Sequence, residues 1–557
     1  MNKPDKPTRP AQTPDLSVKF KQVDLPDSVD FGALGQAEIV IKNDGKATAT
    51  GPVTIKLYAS TDGELGKNDV LLSTTVENLN LAKGKSTNLT IDYANNTSAI
   101  APGSYHIIAK VDTENQIIES NEDNNIASKL VSAPNTDVVL DWQAVALNAI
   151  QAEGKAGRGV APTVGSRLLA TFSTAIHDTV QAFENTFQHY KVDTVAPVGA
   201  CLEAAVVGAA YRVLSTQLGP AALKLIDEQR DASLKEIKDR PIAETIGYAF
   251  GQSIADQIIA SRANDGANNT DPYVPPTGDY VWKPDAPNFA ALGPKWGQVI
   301  PWAIPFNAND PTNSFAPDGL DGTPTNNPNL YATEIEEVRQ VGGLANTDVT
   351  TLTRTPDQTE LAVFWAYDRP DTFRPYGQLS QIAQEVAVRE GNSLAENARL
   401  FAALNVALAD AAIVAWDAKY DYTQPRPDDV IAGGIALNDG IASTIHDPNW
   451  KPLLGSTPPF PDYISGHSTF GGAFAGVLTN LVGDNYAFDA VSQELPGVVR
   501  SFNSFYEAGV EDAVSRVYGG VHVREASVTD AVPTGYNIGE YVATNFFQAI
   551  TDHTVVV

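Results

Sequence analysis

A small all-β domain followed by a much larger helical-bundle domain is the fold predicted for this 557-residue chain, so the class is mainly α. Three observations carry the prediction. Short runs of alternating apolar and polar residues fill positions 14–130, the pattern of half-buried strands. From Val138 onward the apolar spacing becomes that of amphipathic helices, with many Ala and Gly residues that let helix backbones approach closely. Between the two lies Ala133-Pro134-Asn135-Thr136, and residues 131–137 read as a linker.

Bulk properties narrow the function. The formal net charge of −29 opposes general association with nucleic acid or anionic membranes. It does not oppose a small anion, because a local cluster of Lys and Arg can dominate a buried pocket. No run of about eighteen apolar residues occurs, so no membrane-spanning helix is expected. The start, Met1-Asn2-Lys3-Pro4-Asp5-Lys6-Pro7, lacks the apolar core of a signal peptide. A lone cysteine, Cys201, excludes an intrachain disulfide and a Cys-rich zinc site. It precedes an Ala-rich apolar segment and reads as a buried small residue.

Residues 1–13, rich in Pro, Lys and Thr, read as a disordered leader. Strands follow at Leu16–Phe20, Ala37–Lys42, Val53–Tyr58 and Ser104–Val111, with turns at Asn43-Asp44-Gly45 and Thr61-Asp62-Gly63. This is the pattern of a β-sandwich over residues 14–130. Three features then make the segment resemble the immunoglobulin-like CARDB adhesion modules. They are the opening Pro14-Asp15-Leu16, the strand-turn Val40-Ile41-Lys42-Asn43-Asp44-Gly45, and the closing stretch from Val111-Asp112 through Ile117 to Asn125. The resemblance implies an accessory or binding role and an extracellular or periplasmic setting. The acidic closing turn offers oxygen ligands of the kind calcium takes; a solvated Asx-rich turn is the competing reading.

In the larger domain, residues 138–557, helices are predicted at Val138–Ala152, Ser166–Phe187, Cys201–Leu218 and Ile242–Ala260. His177 and Asp178 lie inside the second and read as an internal hydrogen-bonded pair. Residues 263–330 form a long excursion rich in Asn, Asp, Pro and Gly, with Tyr273, Tyr280, Trp282, Trp296 and Trp302 inserted. Those aromatics favour an ordered cover over a pocket. Helical pattern resumes at Tyr331–Val341, Gln358–Trp365, Ser380–Glu390 and Leu394–Tyr420.

Three short stretches carry chemistry. The first is Lys419-Tyr420-Asp421-Tyr422-Thr423-Gln424-Pro425-Arg426-Pro427. A lysine at the end of a buried helix emerges from apolar surroundings, and two prolines fix the peptide carrying Arg426. Lysine supplies a point charge; arginine supplies a fork matched to two oxygens of a tetrahedral anion. The second is Pro459-Phe460-Pro461-Asp462-Tyr463-Ile464-Ser465-Gly466-His467-Ser468, leading into a small-residue helix, Thr469–Leu478. Ser465, Gly466 and His467 then sit at a helix mouth, where free N–H groups favour an anion. The third is Ser515-Arg516-Val517-Tyr518-Gly519-Gly520-Val521-His522. His446 is a weaker pocket candidate. The competing reading of each charged stretch alone is a solvated helix end or a core histidine.

Together the stretches resemble the superfamily that unites vanadium-dependent haloperoxidases with acid phosphatases of the phosphatidic-acid-phosphatase type 2 class. Trp416, Phe460, Pro458-Pro459-Phe460-Pro461 and Phe364-Trp365-Ala366-Tyr367-Asp368 make the chain similar to the haloperoxidase branch. The resemblance implies a helical bundle and a vanadate cofactor held by Lys419, Arg426, Ser465, Gly466 and Arg516. It implies His522 as the vanadium ligand, and catalytic roles for Lys419 and for His467 as acid–base, whose ordinary pKa suits neutral pH. It implies Asp368 as a carboxylate steadying the basic groups, and a halide pocket lined by Trp416 and Phe460. The reaction implied is oxidation of halide by hydrogen peroxide to hypohalous acid, with a small organic molecule as an acceptor. Phe460 points to chloride-capable members. Homo-oligomers occur among helical enzymes of this type. One departure stands out: the Asp often found four residues after the last histidine is Ala526 here, so another group must orient His522. This disfavours the rival reading of an acid phosphatase with a histidine nucleophile. Retention of the five charged or imidazole groups opposes a third reading, a surface binding protein with a degenerate enzyme domain.

Overall fold

The computed structural model describes residues 13–25, 34–60, 63–66, 69–94, 104–132, 137–284, 290–308 and 314–550. The expected leader before residue 13, Thr61 and Asp62 of one expected turn, and positions 133–136 of the expected linker lie outside these. The chain divides into two compact units, 1–136 and 137–557.

In the first unit the strands are β1 (Leu16–Asp24), β2 (Leu34–Asn43), β3 (Ala49–Ser60), β4 (Val70–Leu81), β5 (Ser86–Ala94), β6 (Ser104–Lys110) and β7 (Ile126–Ser132). They form two antiparallel sheets, β1-β2-β5 and β4-β3-β6-β7. Alternation decides the faces. Ala37, Ile39 and Ile41 are fully buried, while Gln36 and Lys42 are exposed. The inner faces share one core with Val53, Ile55, Leu57, Ile91 and Ile107. The turn after β2 is fixed by buried Asn43, which donates to the carbonyls of Ala47 (2.8 Å) and Leu81 (2.7 Å) and accepts from the Gly45 N–H (3.0 Å). In the acidic closing turn, Asp112 accepts from the Gln116 and Ile117 N–H groups, both at 2.8 Å. Glu119 accepts from the Leu16 N–H and from Asn125. Those carboxylates brace the loop. Among the described residues, the turn holds no group of three His, Cys, Asp or Glu ligand atoms around one point.

The second unit contains α1 (Val138–Lys155), α2 (Pro162–Glu184), α3 (Leu202–Gln217), α4 (Pro220–Glu236), α5 (Pro241–Ser261), α6 (Pro328–Val341) and α7 (Pro356–Phe364). It continues with α8 (Arg374–Glu390), α9 (Leu394–Tyr422), α10 (Pro427–Ile431) and α11 (Gly466–Leu481). A hairpin of β8 (Phe488–Val491) and β9 (Val499–Phe502) precedes α12 (Phe505–Tyr518) and α13 (Ala531–Asn545). Proline opens α2, α4, α5, α6, α7 and α10. There the missing N–H costs nothing and the fixed φ is already helical.

The central element is α9. A reciprocal Ser393–Glu396 capping box starts it and Thr423 in left-handed conformation (φ 49°) ends it. It packs on α2, α8, α11 and α13. Contrary to expectation, the segment from Leu394 is long and apolar enough to cross a membrane. However, 94% of its most apolar window is buried within the unit, as in a core helix. Glycine sets the seam between α11 and α13. A Cβ on Gly472 would lie 2.3 Å from the Val532 carbonyl oxygen, and one on Gly535 would lie 2.1 Å from that of Thr469.

The expected excursion contains, among its described residues, one short helical turn at Trp296–Gln298. Buried Asp410 on α9 holds it, accepting from the N–H groups of Trp302 (2.6 Å), Ala303 (2.9 Å) and Ile304 (3.0 Å). His177 and Asp178 are internal but do not pair. His177 Nε2 donates to the Gln188 carbonyl at 2.9 Å, whereas Asp178 accepts from the N–H groups of Tyr190, Lys191 and Val192. Both residues pin the segment after α2. Cys201 is buried, with 2% exposure, at the start of α3.

Candidate active site

Lys419, in the last turn of α9, is fully buried. Its ammonium donates to the carbonyls of Pro461 and Asp462, both at 3.0 Å, which uses two of its three donors. Arg426 precedes Pro427 at the start of α10. Its Nε donates to the Phe460 carbonyl (2.9 Å) and its Nη1 to that of Val521 (2.7 Å). Nη1 also lies 3.0 Å from His522 Nε2. A guanidinium can only donate, so this contact calls for His522 Nε2 as the acceptor.

Ser465 caps α11. Its Oγ accepts from the Ser468 N–H (3.4 Å) and hydroxyl (2.9 Å), leaving its own proton to give away. Gly466 is required by a neighbour: a Cβ there would sit 2.9 Å from the Trp416 ring. Trp416 and Phe460 meet with centroids 4.9 Å apart. Lys419 Nζ lies 4.8 Å over Phe460, and the Arg426 guanidinium 4.9 Å from the same ring. These cation–π contacts keep both charges in an otherwise apolar wall.

Arg516 leaves the end of α12 fully buried and donates from Nη2 to Asp368 at 2.6 Å. His467 Nε2 donates to the Ala366 carbonyl at 2.9 Å and lies 3.8 Å from Asp368. After α12 the chain reverses at Gly520 (φ +78°), where a Cβ would come within 2.3 Å of the Gly342 carbonyl oxygen. His522 follows.

The ten residues to which the resemblance gave a role (Asp368, Trp416, Lys419, Arg426, Phe460, Ser465, Gly466, His467, Arg516 and His522) thus form one connected cluster. Asp368, Gly466, His467, Arg516, His522 and the Trp416–Phe460 wall line a cleft of about 690 Å³. His446 is not among its lining residues. Among the described residues, two buried guanidinium nitrogens in the cluster, Arg426 Nη2 and Arg516 Nε, have no hydrogen-bond partner. Unpaired buried donors on cations are costly. Together with the Ser465 proton and the third Lys419 donor, they fit a tetrahedral oxyanion.

Electrostatics agrees with that fit. Burial, then the field of Arg426, holds Lys419 well below the usual lysine range, although Asp462 opposes the shift. Burial and the cations Arg426, Lys419 and Arg516 hold His522 well below the usual imidazole range. The expectation of an unperturbed His467 is corrected: burial and Arg516 push it down to about 3, so the ring is neutral without an anion. Burial raises Asp368, but Arg516 and His467 outweigh it and hold the carboxyl below its ordinary value.

Two nearby residues were missed. Asp462 accepts from His522 Nδ1. It lies inside a motif quoted from the sequence, but nothing there says which residue it faces. Arg374 lines the cleft with φ +63° and donates to the Asp368 carbonyl and, at 3.1 Å, to that of Val160. No pattern marked it.

Comparison with known proteins bears on both units. Residues 399–553 match the family described as the VCPO second helical-bundle domain, and residues 13–129 match CARDB. A vanadium chloroperoxidase of Curvularia inaequalis is 27% identical over 491 residues, 70% of this chain and 79% of that one. The solved structure of a bacterial vanadium-dependent iodoperoxidase superposes with a TM-score of 0.62 at 25% identity, covering 74% of this chain and 98% of that one. The helical unit has the vanadium haloperoxidase fold. A bacterial vanadium-dependent chloroperoxidase, at 16% identity and TM-score 0.54, shares that fold over 69% of this chain and 92% of its own. The haloperoxidase-like unit is preceded by a CARDB module. Lys419, Arg426, Ser465, Gly466, His467, Arg516 and His522 all fall inside the matched 399–553 segment, while Asp368 lies before it.

Proposed function

We propose that the helical unit binds vanadate and uses hydrogen peroxide to oxidise halide to hypohalous acid. One observation carries the reading: two buried guanidinium donors, without a partner among the described residues, share a cluster with an imidazole whose Nε2 faces Arg426. Lys419, Arg426, Arg516, the Ser465 hydroxyl and the Gly466 N–H would hold the oxyanion, and His522 Nε2 would be the protein ligand to vanadium. Bound vanadate would supply Lewis-acid activation of peroxide without a change of oxidation state. His467, with its Nε2–H engaged on Ala366, takes up or returns a proton at Nδ1. Lys419 would provide positive charge at the oxyanion beside the Trp416–Phe460 wall. Trp416 and Phe460 exclude water from that side and so strengthen the field of Lys419 and Arg426. The relatives named for chloride and for iodide support a halide substrate; Phe460 supports chloride. The cleft has room for a small organic acceptor.

A second reading has one observation in its favour. Asp462 on His522 Nδ1 supplies the orienting carboxylate whose loss at Ala526 counted against a histidine nucleophile. Phosphomonoester hydrolysis through His522 is therefore the alternative. Metal-free protein, assayed with peroxide and each of chloride, bromide and iodide, with and without vanadate, decides between them. Halogenation that requires vanadate and is lost in excess phosphate is expected. Phosphate release from a phenyl phosphate without halogenation would transfer the assignment.

A further inference from the structure

We propose that Asp462 is the positioning residue of the oxyanion site. It fixes the tautomer of His522 through its side chain and the place of Lys419 through its main chain. This rests on the oxyanion reading above.

The geometry is specific. Asp462 is fully buried between the prolines of the 458–461 stretch and α11. One carboxylate oxygen accepts from His522 Nδ1, and the other from the Val523 N–H at 3.3 Å. Its carbonyl accepts from Lys419 Nζ at 3.0 Å. Its own N–H donates to the Gln424 carbonyl at 2.9 Å, in the turn between Lys419 and Arg426. One residue therefore ties together all three chemistry-bearing stretches. Arg426 Nη1 stands closer to the opposite ring nitrogen (3.0 Å) than to Nδ1 (3.4 Å) and cannot accept a proton. Only the Nδ1–H tautomer satisfies both neighbours, and it is the one that leaves Nε2 able to ligate.

Position 526, by contrast, offers no carboxylate. Ala526 is fully buried in a short π-type turn, Glu525–Thr529, and its carbonyl accepts from the Ser465 N–H at 2.7 Å. The acidic partner of His522 therefore comes from the loop before the serine and not from the turn after the histidine.

The test uses the full-length, metal-free chain. The first readout is the ¹⁵N pattern of the imidazoles, with His522 assigned by its absence in His522→Gln. Nδ1–H is expected in the unaltered protein; Nε2–H there would overturn the proposal without any variant at position 462. The second readout is the vanadate dissociation constant by calorimetry for Asp462→Asn and Asp462→Glu. Asp462→Asn should weaken vanadate at least ten-fold and disturb the His522 tautomer, and Asp462→Glu should recover part of both. A folded Asp462→Asn protein with unchanged tautomer and unchanged affinity refutes the role. Because both readouts precede turnover, an unaltered protein that binds vanadate yet oxidises no halide would refute the haloperoxidase reading alone.

Discussion

Replacing Arg516 with methionine separates anion binding from fold stability. Methionine fills much of the space of the arginine stem but removes the charge and every donor. Arg516 is fully buried, its Nη2 is 2.6 Å from Asp368, and its Nε has no partner among the described residues. Losing a desolvated charged partner costs about 2–5 kcal/mol of binding, or roughly 30- to 4,000-fold in affinity at about 1.4 kcal/mol per decade. The fold should suffer less. The Asp368 side chain is 34% exposed, so water compensates much of its loss, and the penalty stays below the ~3–5 kcal/mol of a fully buried broken pair. Repulsion between Arg516 and the neighbouring Lys419 and Arg426 is relieved as well. Titrating vanadate and then phosphate into metal-free Arg516→Met by calorimetry, beside a denaturant melt, measures both quantities. A folded variant binding either anion with unaltered affinity would show that Arg516 serves only Asp368, and the oxyanion assignment would fail. Arg516→Lys, which keeps the charge and loses the fork, should fall between.

Three further outcomes follow from the same geometry. Gly466→Ala puts a Cβ 2.9 Å from the Trp416 ring; overpacking of about 1–3 kcal/mol should weaken vanadate at least five-fold and shift tryptophan emission, and an unaltered emission would contradict the contact. Phe460→Ala removes a ring lying under both Lys419 and Arg426, so kcat/KM for halide should fall and the ratio between chloride and iodide should change; a uniform drop would show that the ring has no part in halide choice. Metal-free protein should lose stability as pH falls below about 6.5, because the unfolded His467 then takes up a proton that the folded ring, held at about 3, refuses. This loss ends below about 3, where both states are protonated. His467→Gln should flatten the slope by up to about 1.4 kcal/mol per pH unit, read from denaturant melts at stepped pH.

The helices legible in the sequence are those with an unbroken apolar character and clear ends, α9 above all. The helix α13 was not legible, because Gly535 and Gly539 read as weak helix formers. The structure needs them bare so that the backbone can rest on Thr469 and Ala473. In α12, burial of Asp512 and Arg516 breaks the apolar stripe that marks a helix, since that face serves the site. The hairpin β8–β9 is too short for periodicity to register. The oxyanion motifs were readable because each lies within one stretch of chain. The partnership of Asp462 with His522 spans 60 positions, and no local pattern reports a contact made only by the fold.

The buried thiol at the head of α3 bears on how long such a molecule lasts in use. The chain has one methionine, Met1, and one cysteine. Burial pushes the Cys201 thiol up to about 12, so little of the reactive thiolate forms. Sulfur is the softest target for an electrophilic halogen, and this protein offers two atoms of it, one shut inside. Under the proposed reaction, an electrophilic halogen formed in the cleft would meet the indoles of Trp282, Trp416 and Trp450, which line it, before it met either sulfur.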